Sequence, residues 1–307
     1  MTDVAPRDTS DPASRGTLAV LVNRRAGRGR PGRLPEDILS RLGPAEVLEA
    51  GSAAAAEEAG RRAVAGGAAA LIAIGGDGTV HTALQAVAGT GVPFGIVPAG
   101  TGNDFAVEMG VPADPLAAAD AIASALAAGR TRAVDLARLT TADGRTRWFG
   151  AVLGAGFDAV VNERANRMRF PRGPRRYDVA VLLELARLRP RRYTIELDGV
   201  AQTVDAVLVA VGNTASYGGG MRICPAADAT DGLLDVVIAG TVGRVTLMKI
   251  KPRVYVGSHV THPLVTSHHA RTVRLDAEGI TAYADGERTF PLPVTVTSVP
   301  GALTLLY

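Results

Sequence analysis

The sequence predicts an α/β protein in two lobes, an N-terminal doubly wound α/β lobe followed by a C-terminal lobe that is mostly antiparallel β. Over residues 17–139, short apolar runs alternate with alanine-rich helical stretches, the pattern of a parallel sheet flanked by helices. Two of those runs lead into glycine turns, Gly75-Gly76-Asp77-Gly78-Thr79 and Pro98-Ala99-Gly100-Thr101-Gly102-Asn103-Asp104-Phe105. Turns of that kind at the carboxyl ends of neighbouring strands are where open parallel sheets bind ligands. After residue 139 the texture changes to β-rich segments spaced by turns.

The elements follow in order. Residues 1–16 are polar and rich in Asp, Ser, Pro and Thr, which predicts a disordered tail. The first lobe, 17–139, has strands expected at 17–22, 45–48, 70–74, 94–97 and 132–139, with helices at 34–42, 53–64, 79–88 and 116–127. The second lobe, 140–299, has strands expected at 148–153, 193–197, 204–211, 233–239, 272–276 and 280–284. Helices are expected there at 178–188 and 242–256, with Pro252 breaking or kinking the latter. The last strand, about 300–307, is expected to return to the first lobe.

With 307 residues and 47% hydrophobic content the chain is long enough to bury a sizeable core. A net charge of +3 is too small to argue for nucleic acid. A single cysteine, Cys224, allows no internal disulfide, so the fold needs no oxidising compartment and the cytosol is the default. The first residues contain no apolar stretch of the signal-peptide kind, and no run approaches the roughly 20 apolar residues of a membrane-spanning helix.

A glycine turn at a strand end exposes backbone N–H groups and places an anion at a helix N-terminus, so both turns read as phosphate-handling elements. Asp77 then sits where a metal would bridge those phosphates. The plain alternatives are capping roles, Thr79 for one helix and Asn103 or Asp104 for the next. The basic loop after the first strand carries Gly27, Gly29 and Gly32 in G-x-G-x-x-G spacing, and Gly27 to Gly32 also has P-loop spacing. Arg33-Leu34 follow instead of the lysine and hydroxyl a P-loop needs, and Pro31 among arginines argues against a dinucleotide fingerprint. Four histidines, His259, His262, His268 and His269, lack the partners and spacing of a zinc site and are read as part of a structural loop. Arg164, Arg167, Arg169, Arg172, Arg175 and Arg176 precede an apolar segment, either as a solvated face or as a rest for anionic headgroups.

The two turns, together with Gly154-Ala155-Gly156-Phe157-Asp158, Asp231-Gly232-Leu233-Leu234-Asp235 and Asp285-Gly286-Glu287, occur in the order found in bacterial lipid kinases. The chain resembles the diacylglycerol kinase catalytic-domain family, related to sphingosine kinases, from Asn23 to the last strand. The resemblance implies an NAD kinase/diacylglycerol kinase-like fold with the active site in the cleft, ATP and Mg²⁺ as cofactors, and a lipid as phosphoryl acceptor. It assigns Gly75, Gly76, Asp77, Gly78, Thr79, Val80 and His81 to the ATP phosphates, with Asn23, Thr101 and Asn103 also at the nucleotide. Asp77 and Asp135 would hold catalytic Mg²⁺ through water, and Glu287 would be the general base. Asp228, Asp231 and Leu233 would hold a structural Mg²⁺, with Asp104 ordering that region.

The same resemblance implies a cytoplasmic protein in peripheral contact with the membrane, with no nucleic-acid partner, and it admits a homodimer. Departures occur where many relatives have Asn-Pro, since Arg24 follows Asn23, and at Glu49-Ala50-Gly51-Ser52. An NAD kinase shares the Gly-Gly-Asp-Gly turn, but the second turn here is of the lipid-kinase type. A non-catalytic sensor on the same scaffold would need neither the paired aspartates nor Glu287.

Overall fold

In the computed structural model, which describes residues 16–22, 34–168, 179–180, 183–184 and 189–307, the chain begins with a parallel sheet. Its strands are β1 (Leu18–Val22), β2 (Ala45–Leu48), β3 (Ala70–Gly75) and β4 (Pro93–Pro98), in the order β2-β1-β3-β4. β1, β3 and β4 are almost wholly buried because helices cover both faces, which is why they read as continuous apolar runs. Alternate residues serve opposite cores: Ala19, Leu21, Leu71 and Ile96 pack beneath α2 (Ala53–Ala65) and α3 (Asp77–Val87), while Val20, Ile72 and Val97 meet α1 (Leu34–Leu42) and α5 (Pro115–Ala128). The helix starts are written in the sequence. Ser52 Oγ accepts from Ala55 N at 3.2 Å, and Asp114 accepts from Leu116 N at 3.0 Å and Ala117 N at 2.9 Å, with Pro115 in the first turn.

The sheet does not stop at the end of the first lobe. β16 (Val294–Leu306) pairs antiparallel with β13 (Thr272–Asp276) through Val294 to Thr297, then parallel with β4 through Thr304 and Leu305. β5 (Thr131–Thr141) runs antiparallel beside it throughout, with a register shift between Val299 and Leu303 where Pro300-Gly301 bends the strand. β8 (Arg191–Leu197) and β9 (Val200–Ala206) continue the sheet past β13, and β6 (Thr146–Phe149) pairs with β5, making ten strands. A second, six-stranded antiparallel sheet has the order β12-β11-β10-β7-β14-β15. Its strands are β7 (Val152–Gly156), β10 (Leu208–Gly212), β11 (Leu234–Ala239), β12 (Val265–Ala270), β14 (Thr281–Ala284) and β15 (Glu287–Pro291). The two sheets face one another across a core of Leu139, Phe149, Leu153, Tyr193, Val211, Val236, Leu275 and Val296.

Three expectations change. The runs at 148–153 and 204–211 are each two strands in different sheets, β6 then β7 and β9 then β10, because the chain crosses between sheets at Gly150-Ala151 and at Val207. Buried apolar residues continue through both crossings, so hydrophobicity gives no sign of them. Of the break or kink expected at Pro252, the break does not occur: the C-terminal helix α7 (Arg244–Tyr255) runs through it. Pro252 and Met248, four residues earlier, are both exposed, so the missing hydrogen bond lies on the solvent side. Helix α6 (Phe157–Arg167) follows β7 directly, and the short α4 (Asp104–Glu108) follows the second glycine turn. The expected tail, the loop holding Asn23, Gly27, Gly29 and Gly32, most of the helix at 178–188 and Arg169, Arg172, Arg175 and Arg176 lie outside the described residues. No described helix is long and apolar enough to cross a membrane.

The sheet junction is held by one side chain. Asp135 on β5 is 5% exposed; its carboxylate accepts from Gly301 N at 2.7 Å at the bend of β16 and from Gly232 N at 2.8 Å. Asn213 Nδ2, fully buried, donates to Asp135 O at 2.9 Å and to Gly150 O at 2.8 Å, which ties the β6–β7 crossing to the same point. Removing one acceptor strands an N–H at the part-buried junction and leaves an amide where the carboxylate was, so Asp135→Asn should lower unfolding stability of the metal-free protein by about 1–3 kcal/mol in urea titration. Unchanged stability without metal would leave Asp135 as a cation ligand and nothing more.

Candidate active site

The two glycine turns meet back to back. Gly76 and Gly100 approach so closely that a Cβ on Gly100 would lie 2.5 Å from Gly76 Cα, and Ala99 N donates to Gly75 O at 2.9 Å. Only glycine fits at that contact. The first helix starts earlier than the Thr79 cap implies: Gly76 is the N-cap, and Thr79 N and Val80 N both bond back to Gly76 O. The N–H groups of Asp77 and Gly78 lie ahead of those first intrahelical bonds, at the positive end of α3. Thr79 Oγ1 is buried at the foot of this turn with no hydrogen-bond partner among the described residues.

Asp77 points across to the second turn. Its Oδ1 accepts weakly from Phe105 N at 3.4 Å, and its Oδ2 is 2.7 Å from where a Cβ on Gly102 would stand, a point only 3.7 Å from Asp104 Oδ2. Burial, with the charge of Asp104 as the next cause, pushes the Asp77 carboxyl up. Two carboxylates this close offer oxygen donors of the kind that suits a hard divalent cation. Asp104 is itself committed: 7% exposed, it accepts from Gly219 N and Gly220 N, each at 2.8 Å. Those amides belong to Gly218-Gly219-Gly220, three consecutive left-handed residues that form a nest for an anion. Thr101, Gly102, Asp104, Ser216, Gly219 and Gly220 line a cleft of about 290 Å³ between the two glycine loops. Asn103, left-handed at φ 57°, braces its own turn, accepting from Gly100 N and donating to Gly100 O, both at 3.1 Å.

The β14–β15 turn brings the second lobe to α3. Asp285, left-handed at φ 52°, accepts from Ala151 N at 2.8 Å and Gly150 N at 3.1 Å, and its Oδ2 lies 3.0 Å from His81 Nδ1. Two residues later Glu287 Oε1 lies over the first turn of α3, 2.9 Å from where a Cβ on Gly78 would stand. The sequence-predicted set is therefore only partly gathered. Gly75, Gly76, Asp77, Gly78 and Thr79 form one turn that abuts Gly100 and Gly102 and that Glu287 overlies at Gly78, and Thr101 lines the adjoining cleft. Val80 packs into the core and His81 is held by Asp285, so neither presents its side chain at the turn. Asp135 has both carboxylate oxygens on backbone amides at the sheet junction. Asn23 lies outside the described residues.

The loop expected to hold a structural cation is closed by its own hydrogen bonds. Asp228 Oδ1 accepts from Thr230 N at 3.0 Å and Thr230 Oγ1 at 2.6 Å, Asp228 O from Asp231 N at 3.4 Å, and Asp231 Oδ1 from Leu233 N at 2.8 Å. Among the described residues no group of three or more Asp, Glu, His or Cys is placed to hold a metal. The histidines are dispersed. His259, its imidazole pushed down by burial, bonds Ile223 O at 3.0 Å, whereas His268 and His269 lie on a strand, β12, with His269 on Asp235 at 3.1 Å. Arg164 is paired with Glu184. The site residues that sequence reasoning missed are Asn213, the Gly218-Gly219-Gly220 nest and the roles of Asp104 and Asp285 as amide clamps; the triple glycine was the readable signal.

A parallel sheet whose two glycine turns face a β-sandwich across a cleft is an architecture shared with known kinases. The chain superposes on a diacylglycerol kinase from Bacillus anthracis with TM-score 0.70 at 21% identity, covering 95% of this chain and 96% of that one. An NAD kinase from Archaeoglobus fulgidus in complex with ATP aligns with TM-score 0.50 at 12% identity, covering 95% and 93%. These likenesses define the fold class. The diacylglycerol kinase catalytic domain matches residues 17–139, and the YegS C-terminal NAD kinase beta sandwich-like domain matches 151–307. A Mycobacterium tuberculosis protein named diacylglycerol kinase is 43% identical over 297 residues, 95% of each chain. The chain belongs to the diacylglycerol kinase catalytic-domain family of lipid kinases.

Two outcomes test the geometry. The raised Asp77 carboxyl means that its ionised form is disfavoured by folding, so that stability contribution is present in acid and lost as pH rises. Asp77→Asn should therefore raise the melting temperature of metal-free protein at neutral pH while abolishing turnover; a lower melting temperature would contradict the charge argument. His81 Nδ1 occupies a position that an asparagine amide nitrogen can reach and a glutamine amide cannot. His81→Asn should keep most of kcat and His81→Gln should lose about 10-fold or more, with KM for ATP unchanged in both, if His81 acts by positioning Glu287 through Asp285. A rise in KM for ATP with kcat preserved would instead put His81 at the phosphates.

Proposed function

We propose that the protein transfers the γ-phosphoryl group of ATP to a hydroxyl of diacylglycerol or a closely similar lipid, with Mg²⁺. The observation that carries the reading is the approach of Glu287, from the second lobe, to Gly78 at the N-terminal turn of α3. That juxtaposition puts a carboxylate beside the place where a helix end and a glycine turn favour phosphate. Family membership and the Mycobacterium tuberculosis relative named diacylglycerol kinase support the acceptor class.

Each residue then has a physical task. The N–H groups of Asp77 and Gly78 receive the donor phosphates, and the unpartnered Thr79 hydroxyl supplies a further donor at the foot of the turn. Thr101 lines the nucleotide side of the cleft. The acceptor hydroxyl enters between Glu287 and the γ-phosphate, and Glu287 takes its proton as the new P–O bond forms and the bond from the γ-phosphorus to the β–γ bridging oxygen breaks, releasing ADP. Asp77 would hold Mg²⁺, largely through water, with Asp104 beside it; when bound, the ion neutralises charge on the phosphate oxygens. Asp104 and Asp285 keep the two walls of the cleft at fixed separation by binding backbone amides of the opposite lobe or loop.

Glu287→Gln removes the base while preserving size. Turnover should fall about 10²- to 10⁴-fold with nucleotide affinity nearly unchanged. The assay is transfer of label from γ-labelled ATP with Mg²⁺ to a panel of lipids, with NAD as a parallel acceptor. Equal turnover in the variant would remove Glu287 from the mechanism, and label on NAD with none on lipid would overturn the acceptor class.

A further inference from the structure

α7 is amphipathic in an unusual sense. Its inward face, Leu247, Ile250 and Val254, packs on the second sheet with Ile223 and Val265. Its outward face is also apolar: Val245 is 67% exposed, Met248 60%, Tyr255 48% and Val256 73%. Val245, Met248, Pro252 and Tyr255 recur at spacings of three, four and three, so they form one stripe along the solvent side of the helix. An apolar stripe of this kind on the surface marks a contact with something else.

Charge identifies the occupant. The chain contains only two lysines, Lys249 and Lys251, and both are exposed on this helix, with Arg244 at its start. No Asp or Glu occurs anywhere from residue 236 to residue 275. Lysine carries a strongly hydrated head on a long apolar stem, so it can lay the stem along a greasy surface while its charge stays in water. An apolar stripe rimmed by such lysines, without a compensating acid, complements an anionic bilayer surface. It is poorly matched to a second copy of the same basic helix, whose like charges would face it.

The helix is also connected to the cleft. Arg222 N donates to Val254 O at 3.1 Å, and residue 222 lies two positions beyond Gly220, whose amide holds Asp104. We propose that the outward face of α7 is a membrane-docking surface that seats the enzyme on anionic lipid, with Val245, Met248 and Tyr255 entering the headgroup boundary and Lys249 and Lys251 on the lipid phosphates. The proposal deepens the lipid-kinase reading and rests on it for its purpose, although binding to a bilayer can be measured without any turnover.

The test is co-sedimentation of the full chain with phosphatidylcholine vesicles, with and without phosphatidylglycerol, followed by kinase assays on the same proteins. Lys249→Glu with Lys251→Glu should weaken binding to the anionic vesicles about 10- to 50-fold and remove most of its salt dependence. Val245→Ser, Met248→Ser and Tyr255→Ser together should weaken binding to both vesicle types. Both variants should phosphorylate dispersed short-chain diacylglycerol at close to the wild-type rate while losing turnover on vesicle-held lipid. Vesicle binding unchanged in both variants would overturn the proposal. So would conversion of a dimer to a monomer with vesicle binding intact, which would make the stripe a contact between copies. A wild-type protein that binds anionic vesicles through α7 but phosphorylates no lipid would sink the functional reading and leave the docking surface standing.

Discussion

Aspartate carboxylates bound to pairs of backbone amides are the interaction on which the rest of this structure depends. Asp135 joins β16 at Gly301 to the loop at Gly232, Asp104 holds Gly219 and Gly220, and Asp285 holds Gly150 and Ala151. In each case a nearly buried charge is offset by two charge-assisted hydrogen bonds, and in each case the partners are distant in sequence. Burying such a carboxylate without its amides would be costly, so each clamp is satisfied only in one relative placement of the segments it joins. The geometry of the cleft follows from those three placements.

The same clamps separate structural from reactive acids. Of the aspartates around the cleft, Asp77 is held only loosely, from Phe105 N at 3.4 Å and from the Asn103 backbone, while Asp104 and Asp285 each accept two amides at 2.8 to 3.1 Å. Asp77 is therefore the carboxylate left with capacity for a cation, and burial next to Asp104 makes its bare charge unfavourable. Glu287, exposed at the tip of a strand pair, is positioned through its neighbour Asp285 and reaches the helix end that the glycine turn opens. A left-handed turn residue and a carboxylate two positions apart reach the first turn of α3 where the lobes meet.

Much of this was readable in the chain. Apolar runs ending in Gly75-Gly76-Asp77-Gly78 and Gly100-Thr101-Gly102 locate a parallel sheet and its ligand edge, because buried strands and close backbone turns each demand particular residue types. The splits at Gly150-Ala151 and Val207 were not readable, since residues on either side are buried in one sheet or the other and the hydrophobic pattern never breaks. His81 and Asp135 entered the expected site through the family resemblance, which does not say what holds them. Their partners, Asp285 and the amides of Gly232 and Gly301, lie 204, 97 and 166 residues away.

The sequence by itself determined the local structure: which strands are buried on both faces, where the glycine turns fall, and which helices are capped. Those properties depend on residues close together in the chain, where side-chain type and spacing suffice. Only the tertiary structure decided which acids remain available, how β16 stitches the two lobes into one sheet, and that α7 turns its apolar stripe and the chain's two lysines outward. A carboxylate's role is set by the amides that reach it, and a helix face by the surface that covers its opposite side; both are long-range facts that no local pattern encodes.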